Sequence, residues 1–241
     1  MIEFPQEIVD MYKDFKPAHE KIYRIIRDSL FLGKLHTQEK FTEQAVSQAL
    51  GCIRTPVRTA LARLHSEGLL QNVTKNNIGI QELSEKEMMD LLTLDMLLEG
   101  QAAYQTALNG ISDDELDTLY TINQMIAGYT TLNRSVDASN YGVRDLHMQF
   151  HLLIAKYADN RFLYKEIVSV RNIMRSLQSA AVYEDRNKHN YSDFVAPTHQ
   201  KIICAIQNRD PDEARMMMQY EISQSREIYR TSHPDVNYSP E

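Results

Sequence analysis

The sequence predicts a mainly α-helical protein: an N-terminal winged helix-turn-helix followed by an all-helical bundle. Three observations point there. Three amphipathic segments run into a short hairpin pattern before residue 83. Beyond Ser84 the apolar residues keep a helical period, reopened several times by capping signals. No strand pattern or repeat of fixed period interrupts that helical part.

The first segment, from about Pro17 to Leu32, places Ile22, Ile25, Ile26 and Leu30 on one stripe, with Gly33 as its stop. The second has Thr42 at the N-cap, Ala45, Val46, Ala49 and Leu50 facing inward, and Gly51 as the stop. In the third, RTPVRTALARLHSEGLL, Thr55 is expected at the N-cap and Pro56 at the first helical position, where its missing N–H is harmless. Val57, Ala60, Leu61 and Leu64 form its buried side and Gly68 ends it. Two short strands follow, about Leu69 to Val73 and Ile78 to Glu82, around a Lys75-Asn76-Asn77 turn.

Ser84 and Glu87 make a capping box that opens a long apolar helix to about Asn109, and Ser112 with Glu115 opens the next, to about Thr130. Helices are expected from about Asp137 to Ala158, from Asn160 to about Glu184, and from about Ala196 to Gln207. Asp210 as N-cap, Pro211 first and Glu213 third begin a last helix ending near Thr231. The expected organisation is a winged helix-turn-helix domain over 17–83, a helical domain over 84–230, and a flexible tail over 231–241.

Composition narrows the function. The chain carries 26 Lys+Arg against 33 Asp+Glu, a net charge of −7, and has 43% hydrophobic residues, which suits a folded soluble protein. No apolar run reaches the roughly 20 residues of a membrane span, and the N-terminus is too acidic for a signal peptide, so a cytoplasmic protein without membrane partners is expected. Cys52 and Cys204 lie far apart in helical segments and read as reduced thiols, not as a disulfide or a zinc framework. Against the acidic whole, residues 21–75 hold nine basic and four acidic side chains. A basic end on an acidic body suits a module that meets phosphate through that end alone.

The third helix is then the one that enters a major groove. Arg54 and Thr55 stand at its N-terminus and Arg58 one turn in, while Lys75 at the hairpin tip would reach the backbone or minor groove. Either arginine could grip guanine or clamp a phosphate. The stretch Phe41–Leu69, centred on RTPVRTALARLHSEGL, resembles the DNA-binding domain of the GntR family of bacterial transcription regulators. The resemblance implies that Arg54, Thr55 and Arg58 contact DNA and that Gly79 is the glycine of the wing. Ile53 stands where that family usually has Ser, and Ile78 where a basic wing residue is common.

In the helical part, His147 and His151 are spaced i, i+4, so both imidazoles leave one helix face and can share a metal ion. Such pairs also occur as hydrogen-bonded core or surface residues. His199 and Glu221, on two other helices and flanked by apolar residues, supply the context for a site converging from three helices. HMQFHLLIAKYADNRFL and THQKIICAIQNRDPDEARMMMQYEI resemble the FCD domain, the effector and dimerisation domain of the FadR-type GntR subgroup. That resemblance implies a divalent metal held by three His and an Asp. Here His147 takes the Asp position, His151 and His199 match two of the His positions, and Glu221 takes the third, so two ligands have exchanged type. Asp95 stands where an Arg usually precedes the first-helix Glu, here Glu99.

An imidazole-rich set favours Zn or Ni, with Mn a weaker fit. Arg171 and Arg175, spaced i, i+4, could face a small carboxylate effector that completes the coordination, although a solvated face or an interhelical salt bridge is the simpler account of such a pair. The expectation is a homodimeric, metabolite-responsive regulator of operator DNA, not an enzyme. A metal-responsive regulator without an organic effector is the alternative, and a metal-dependent hydrolase is disfavoured because no general base accompanies the ligands.

Overall fold

A computed structural model of the chain describes residues 2–32, 34–35, 40–74, 77–80, 83–132, 140–179 and 191–232. Within them the chain divides into two compact units, one of Met1–Glu82 with Ser169–Tyr183 and one of Leu83–Val168 with Glu184–Glu241. A segment that its sequence places within the helical part thus groups with the N-terminal residues.

The first unit begins with a helix absent from the sequence expectation, α1 (Gln6–Met11), which buries Ile8. The hydroxyl of Tyr12, at the end of α1, donates to Asp28 Oδ2 at 2.5 Å, which links it to α2 (Ala18–Phe31). The expected stripe of α2 is buried at Ile22, Ile25, Ile26 and Leu30. Gly33, its expected stop, lies outside the described residues. Helix α3 (Glu43–Ala49) is capped by Thr42, whose hydroxyl accepts from the Ala45 N–H at 3.1 Å. Only Val46 of α3 is fully buried and Ala49 is exposed, because a helix this short turns little more than one side to its neighbours.

Helix α4 (Arg54–Ser66) starts earlier than expected: Ile53 is its N-cap, Thr55 its second residue and Pro56 its third. The first four N–H groups of a helix have no intrahelical partner, so proline is tolerated at the third position too. Val57, Ala60, Leu61 and Leu64 are buried as expected. Gly68, at φ +72°, ends α4: its N–H reaches the His65 carbonyl and the Leu69 N–H the Leu64 carbonyl, both at 3.0 Å. The hairpin of β2 (Leu70–Asn72) and β3 (Ile78–Ile80) gains a strand the sequence did not reveal, β1 (Lys40–Phe41), giving the order β1-β3-β2. A two-residue strand carries no alternation to read, and its pairing with β3 spans almost forty residues.

Helix α4 is tied to α2 by side chains. Tyr23 on α2 donates to Glu67 at 2.7 Å, and Arg63 on α4 lies over the Tyr23 ring at 3.7 Å while bridging Glu67 at 2.9 Å and Glu20 at 2.7 Å. Burial and the Glu67 carboxylate push the Tyr23 phenol up to about 12, so it stays a hydrogen-bond donor at any physiological pH.

In the second unit, α5 (Glu85–Asn109) opens on the complete Ser84/Glu87 capping box. Helix α6 (Asp113–Leu132) opens on the Ser112/Glu115 exchange, with Ser112 N–H to Glu115 at 2.9 Å. Helix α7 (Asn140–Tyr157) and α8 (Arg161–Ser179) follow, α8 capped by Asn160 Oδ1 on the Leu163 N–H at 3.1 Å. Helix α9 (Tyr191–Gln207) begins a turn before the expected Ala196 and carries Pro197 inside it. Packing of Val195, Ala196, Ile202 and Ile203 in the core outweighs the one backbone bond the proline removes. Helix α10 (Pro211–Ser232) has the expected Asp210 cap, which accepts the Glu213 N–H at 3.0 Å. Helix α10 packs along α5 and α9, α6 packs on α7 and α9, and α5 contacts α7. Most of the tail, residues 233–241, lies outside the described residues.

Candidate functional site

At the centre of the second unit, the core side chains Ala103, Leu119, Ile126, Phe150, Ile203 and Met218 enclose a polar island. Four helices build it. Helix α7 presents His147 and His151 one turn apart, α9 presents His199, α10 presents Glu221 and α5 presents Glu99. His151, His199, Glu99 and Glu221 are buried, and His147 is nearly so, with its side chain 12% exposed. The Phe150 ring stacks on His199 with centroids 3.7 Å apart and planes within 10°, so its rotation is restricted by packing.

Three imidazole Nε2 atoms converge on one carboxylate oxygen. Glu221 Oε1 lies 2.8 Å from His147 Nε2, 3.2 Å from His151 Nε2 and 3.2 Å from His199 Nε2. The His147 and His151 Nε2 atoms are themselves 3.0 Å apart. One ligand atom from each of the four residues falls within 4.8 Å of every other. The structure thus brings His147, His151, His199 and Glu221 together.

The proton inventory of this cluster is short. His151 Nδ1 meets the carboxylate of Glu99 in a very short contact, which places a hydrogen on Nδ1. In the neutral ring, Nε2 is then a bare lone pair aimed at Glu221 Oε1, itself only an acceptor. Oε2 of Glu221 is buried without a hydrogen-bond partner among the described residues. Buried acceptors that face one another ask for a cation. Burial and the neighbouring His151 and His199 hold His147 down to about 3 despite the help of Glu221, so at neutral pH its ring is uncharged and keeps one nitrogen lone pair. Burial pulls Glu221 upward, but its electrostatic coupling to the His199 and His151 rings and its hydrogen bond with His147 outweigh it and keep the carboxyl well below its ordinary range. Three imidazole nitrogens and an ionised carboxylate, gathered without a proton for each contact, fit a divalent ion.

Glu99, named in the sequence only as the first-helix Glu of the FCD resemblance and not among the candidate ligands, joins the cluster through His151. Its only local signal is a carboxylate amid the apolar run LeuLeuGlu at 97–99 of α5. The partner that explains it, His151, lies 52 residues away.

In the first unit, Arg54, Thr55 and Arg58 are all exposed on the first turns of α4. Arg58 does not wait free: its guanidinium grips Glu43 of α3, with Nε to Oε1 and Nη2 to Oε2 both at 3.1 Å. Gly79 is buried in the central strand, opposite Lys40 on one side and Gln71 on the other, so it serves the pairing of the wing and not its tip. Lys75 lies outside the described residues. Arg171 and Arg175 are buried at 8% and 4% exposure, which removes the solvated-face explanation; Arg175 lies 5.7 Å over the Phe31 ring within this same unit.

Comparison with known families agrees with both halves of this geometry. Residues 18–80 match the family described as bacterial regulatory proteins, gntR family, and residues 90–224 match the FCD domain. The chain belongs to the GntR family and carries an FCD domain. It is a bacterial DNA-binding transcriptional regulator with a winged helix-turn-helix followed by a helical domain. This GntR-family chain is 24% identical over 218 residues to the Uxu operon regulator of Haemophilus influenzae, covering 83% of this chain and 77% of that one. It is 23% identical over 229 residues to the transcriptional repressor RspR of Escherichia coli, covering 91% and 93%. Among solved structures, E. coli McbR/YncC shares the fold with a TM-score of 0.75 at 16% identity, over 91% of this chain and 100% of that one. No described helix is long and apolar enough to cross a membrane.

Proposed function

We propose that this regulator is a homodimer whose operator affinity is set by a small carboxylate acting at a metal-containing helical domain. The observation that carries the proposal is the meeting of three imidazole nitrogens on one buried carboxylate oxygen, at 2.8–3.2 Å. His147, His151, His199 and Glu221 hold the ion, with Zn or Ni preferred by their donor types over Mn. A divalent ion there supplies a Lewis-acidic centre at which carboxylate oxygens can bind. Glu99 holds the His151 ring in the tautomer that leaves Nε2 bare, and Phe150 holds the plane of His199. Arg171 and Arg175, buried in the first unit, remain candidates for holding an anion there, and the carboxylate at the ion is assigned to the metal alone.

At the operator, Arg54, Thr55 and Arg58 act from the exposed first turns of α4, and Lys75 acts from the wing whose pairing Gly79 maintains. Arg58 exchanges its Glu43 partner for DNA on binding, which keeps the guanidinium extended beforehand. Regulation follows from linkage: an effector that binds one dimer arrangement better than another shifts operator affinity by its differential affinity and no more.

Elemental analysis of tag-free protein beside His199→Ala tests the centre. The parent is expected to hold about one Zn, Ni or Mn per chain and the variant little. Operator affinity is then measured across mono-, di- and tricarboxylates, with and without the metal. A parent that stays empty after soaking in all three ions would remove the metal. Affinity that follows metal but no carboxylate would leave a metal-responsive regulator instead.

A further inference from the structure

At 74% exposure, Ile53 is the most exposed of the large apolar side chains in the described residues, and it occupies the N-cap of the recognition helix. A single exposed apolar side chain is ordinary on a protein surface. This position is not ordinary. Thr42, Ser84, Ser112, Asn160 and Asp210 all supply a side-chain oxygen to an N–H at the start of α3, α5, α6, α8 and α10. Like Pro5 and Pro17 before α1 and α2, the Ile53 side chain gives its helix no such bond, and Ile53 gains no burial in exchange. Its backbone is an unstrained extended cap, at φ −75° and ψ 157°, so the residue is not needed for its conformation either.

The neighbours of Ile53 say what covers it. Arg54, Thr55 and Arg58 are exposed on the same end of α4, in the domain that matches the DNA-binding GntR family. When that end enters a major groove, an aliphatic side chain beside the arginines meets base edges, and the one apolar group any base pair shows there is the C5-methyl of thymine. We infer that Ile53 is a specificity-determining residue that reads a thymine methyl in each half-site. The arginines supply charge and hydrogen bonds; Ile53 supplies the apolar contact and removes its own exposed surface from water on binding. This inference rests on α4 being the groove-entering helix, and the test separates the two.

The experiment uses the full-length protein and the duplex it selects from a random library. Deoxyuridine then replaces thymidine at one selected position at a time, which deletes only the methyl. The parent is expected to select a thymine adjoining the bases the arginines read, and to lose affinity roughly four-fold per methyl removed there, the factor that about 0.8 kcal/mol per buried methyl corresponds to. In Ile53→Ser the same replacement is expected to change nothing, while salt-dependent binding persists; Ile53→Val should keep most of the sensitivity. A selected site without a preferred thymine, indifference of the parent to every deoxyuridine, or equal sensitivity in Ile53→Ser would overturn the inference while leaving α4 as the reading helix. Loss of all selective binding to duplex DNA would overturn both.

Discussion

The carboxylate of Glu99 on α5 meets Nδ1 of His151 on α7, and the opposite nitrogen of that ring points at Glu221 Oε1, 3.2 Å away on α10. One imidazole thereby relays between two buried carboxylates. The first decides which nitrogen carries hydrogen, and the second shares what the other nitrogen can hold. Replacing Glu99 by Gln keeps the size but offers an amide where an anion stood. Metal affinity is expected to fall about 10–100-fold, as for other residues that orient a metal-bound histidine. Competition with a chromophoric chelator checks it; unchanged affinity, with a folded variant by circular dichroism, would remove Glu99 from the centre.

Acid should weaken the metal-free protein through the same cluster. The His147 imidazole is held from its ordinary 6.5 down to about 3 in the fold, chiefly by burial. The unfolded chain therefore takes up a proton near pH 6.5 that the folded chain refuses, so the stability that this group contributes is present above 6.5 and is lost as pH falls from there toward 3. Glu221, also held low, extends the loss below its ordinary 4.5. Thermal melts of chelator-stripped protein between pH 7 and 4.5 should show Tm falling, with a shallower fall in His147→Asn. A flat Tm would contradict the burial of a neutral histidine.

Removing the ion should destabilise the folded protein. Chelation is expected to lower Tm, because a ligand that binds only the folded state stabilises it by mass action. Adding the metal back should restore the value. Melts that coincide with and without chelator, in protein shown to contain metal, would mean that the cluster contributes nothing to stability.

Arg54→Ala and Arg58→Ala should weaken operator binding without moving the melt of the helical domain, since both side chains are exposed. A lost phosphate contact lowers the salt slope by about one; a lost base contact relaxes sequence preference at one position instead. Fluorescence anisotropy at several salt concentrations distinguishes them. In Glu43→Ala, Arg58 loses its 3.1 Å partner and should bind non-operator DNA more readily. Unchanged operator affinity in both arginine variants would remove α4 from recognition.

Two glycines provide a graded stability test. Gly51 has φ +58° and open space where a Cβ would stand, whereas Gly68 has φ +72° and would place a Cβ 2.7 Å from Ile173 Cδ1. Gly51→Ala should cost about 1 kcal/mol through the left-handed backbone alone. Gly68→Ala should cost more, about 2–3 kcal/mol, because Ile173 must also move. Denaturant midpoints would reveal the order, and equal costs would mean that Ile173 yields freely.

What the amino-acid sequence determined by itself is local. Thr42, Ser84, Ser112 and Asp210 announce helix starts because a side-chain oxygen satisfies an N–H two or three residues on, wherever the rest of the chain lies. His147 and His151 share a face because four residues make about one helical turn, and the exposed arginines of α4 follow from the same period. Even there, competition blurred the edges: Thr55 and Pro56 suit several first-turn positions, and Pro197 sits inside α9 because core packing holds the turn before it. Tertiary structure alone decided the rest. It paired Lys40 with Gly79, grouped Ser169–Tyr183 with the N-terminal residues, buried Arg171 and Arg175, and brought Glu99 to a histidine 52 positions away. None of these leaves a period or a cap in the chain, because each is a meeting of surfaces whose energy comes from burial and pairing across elements rather than along one.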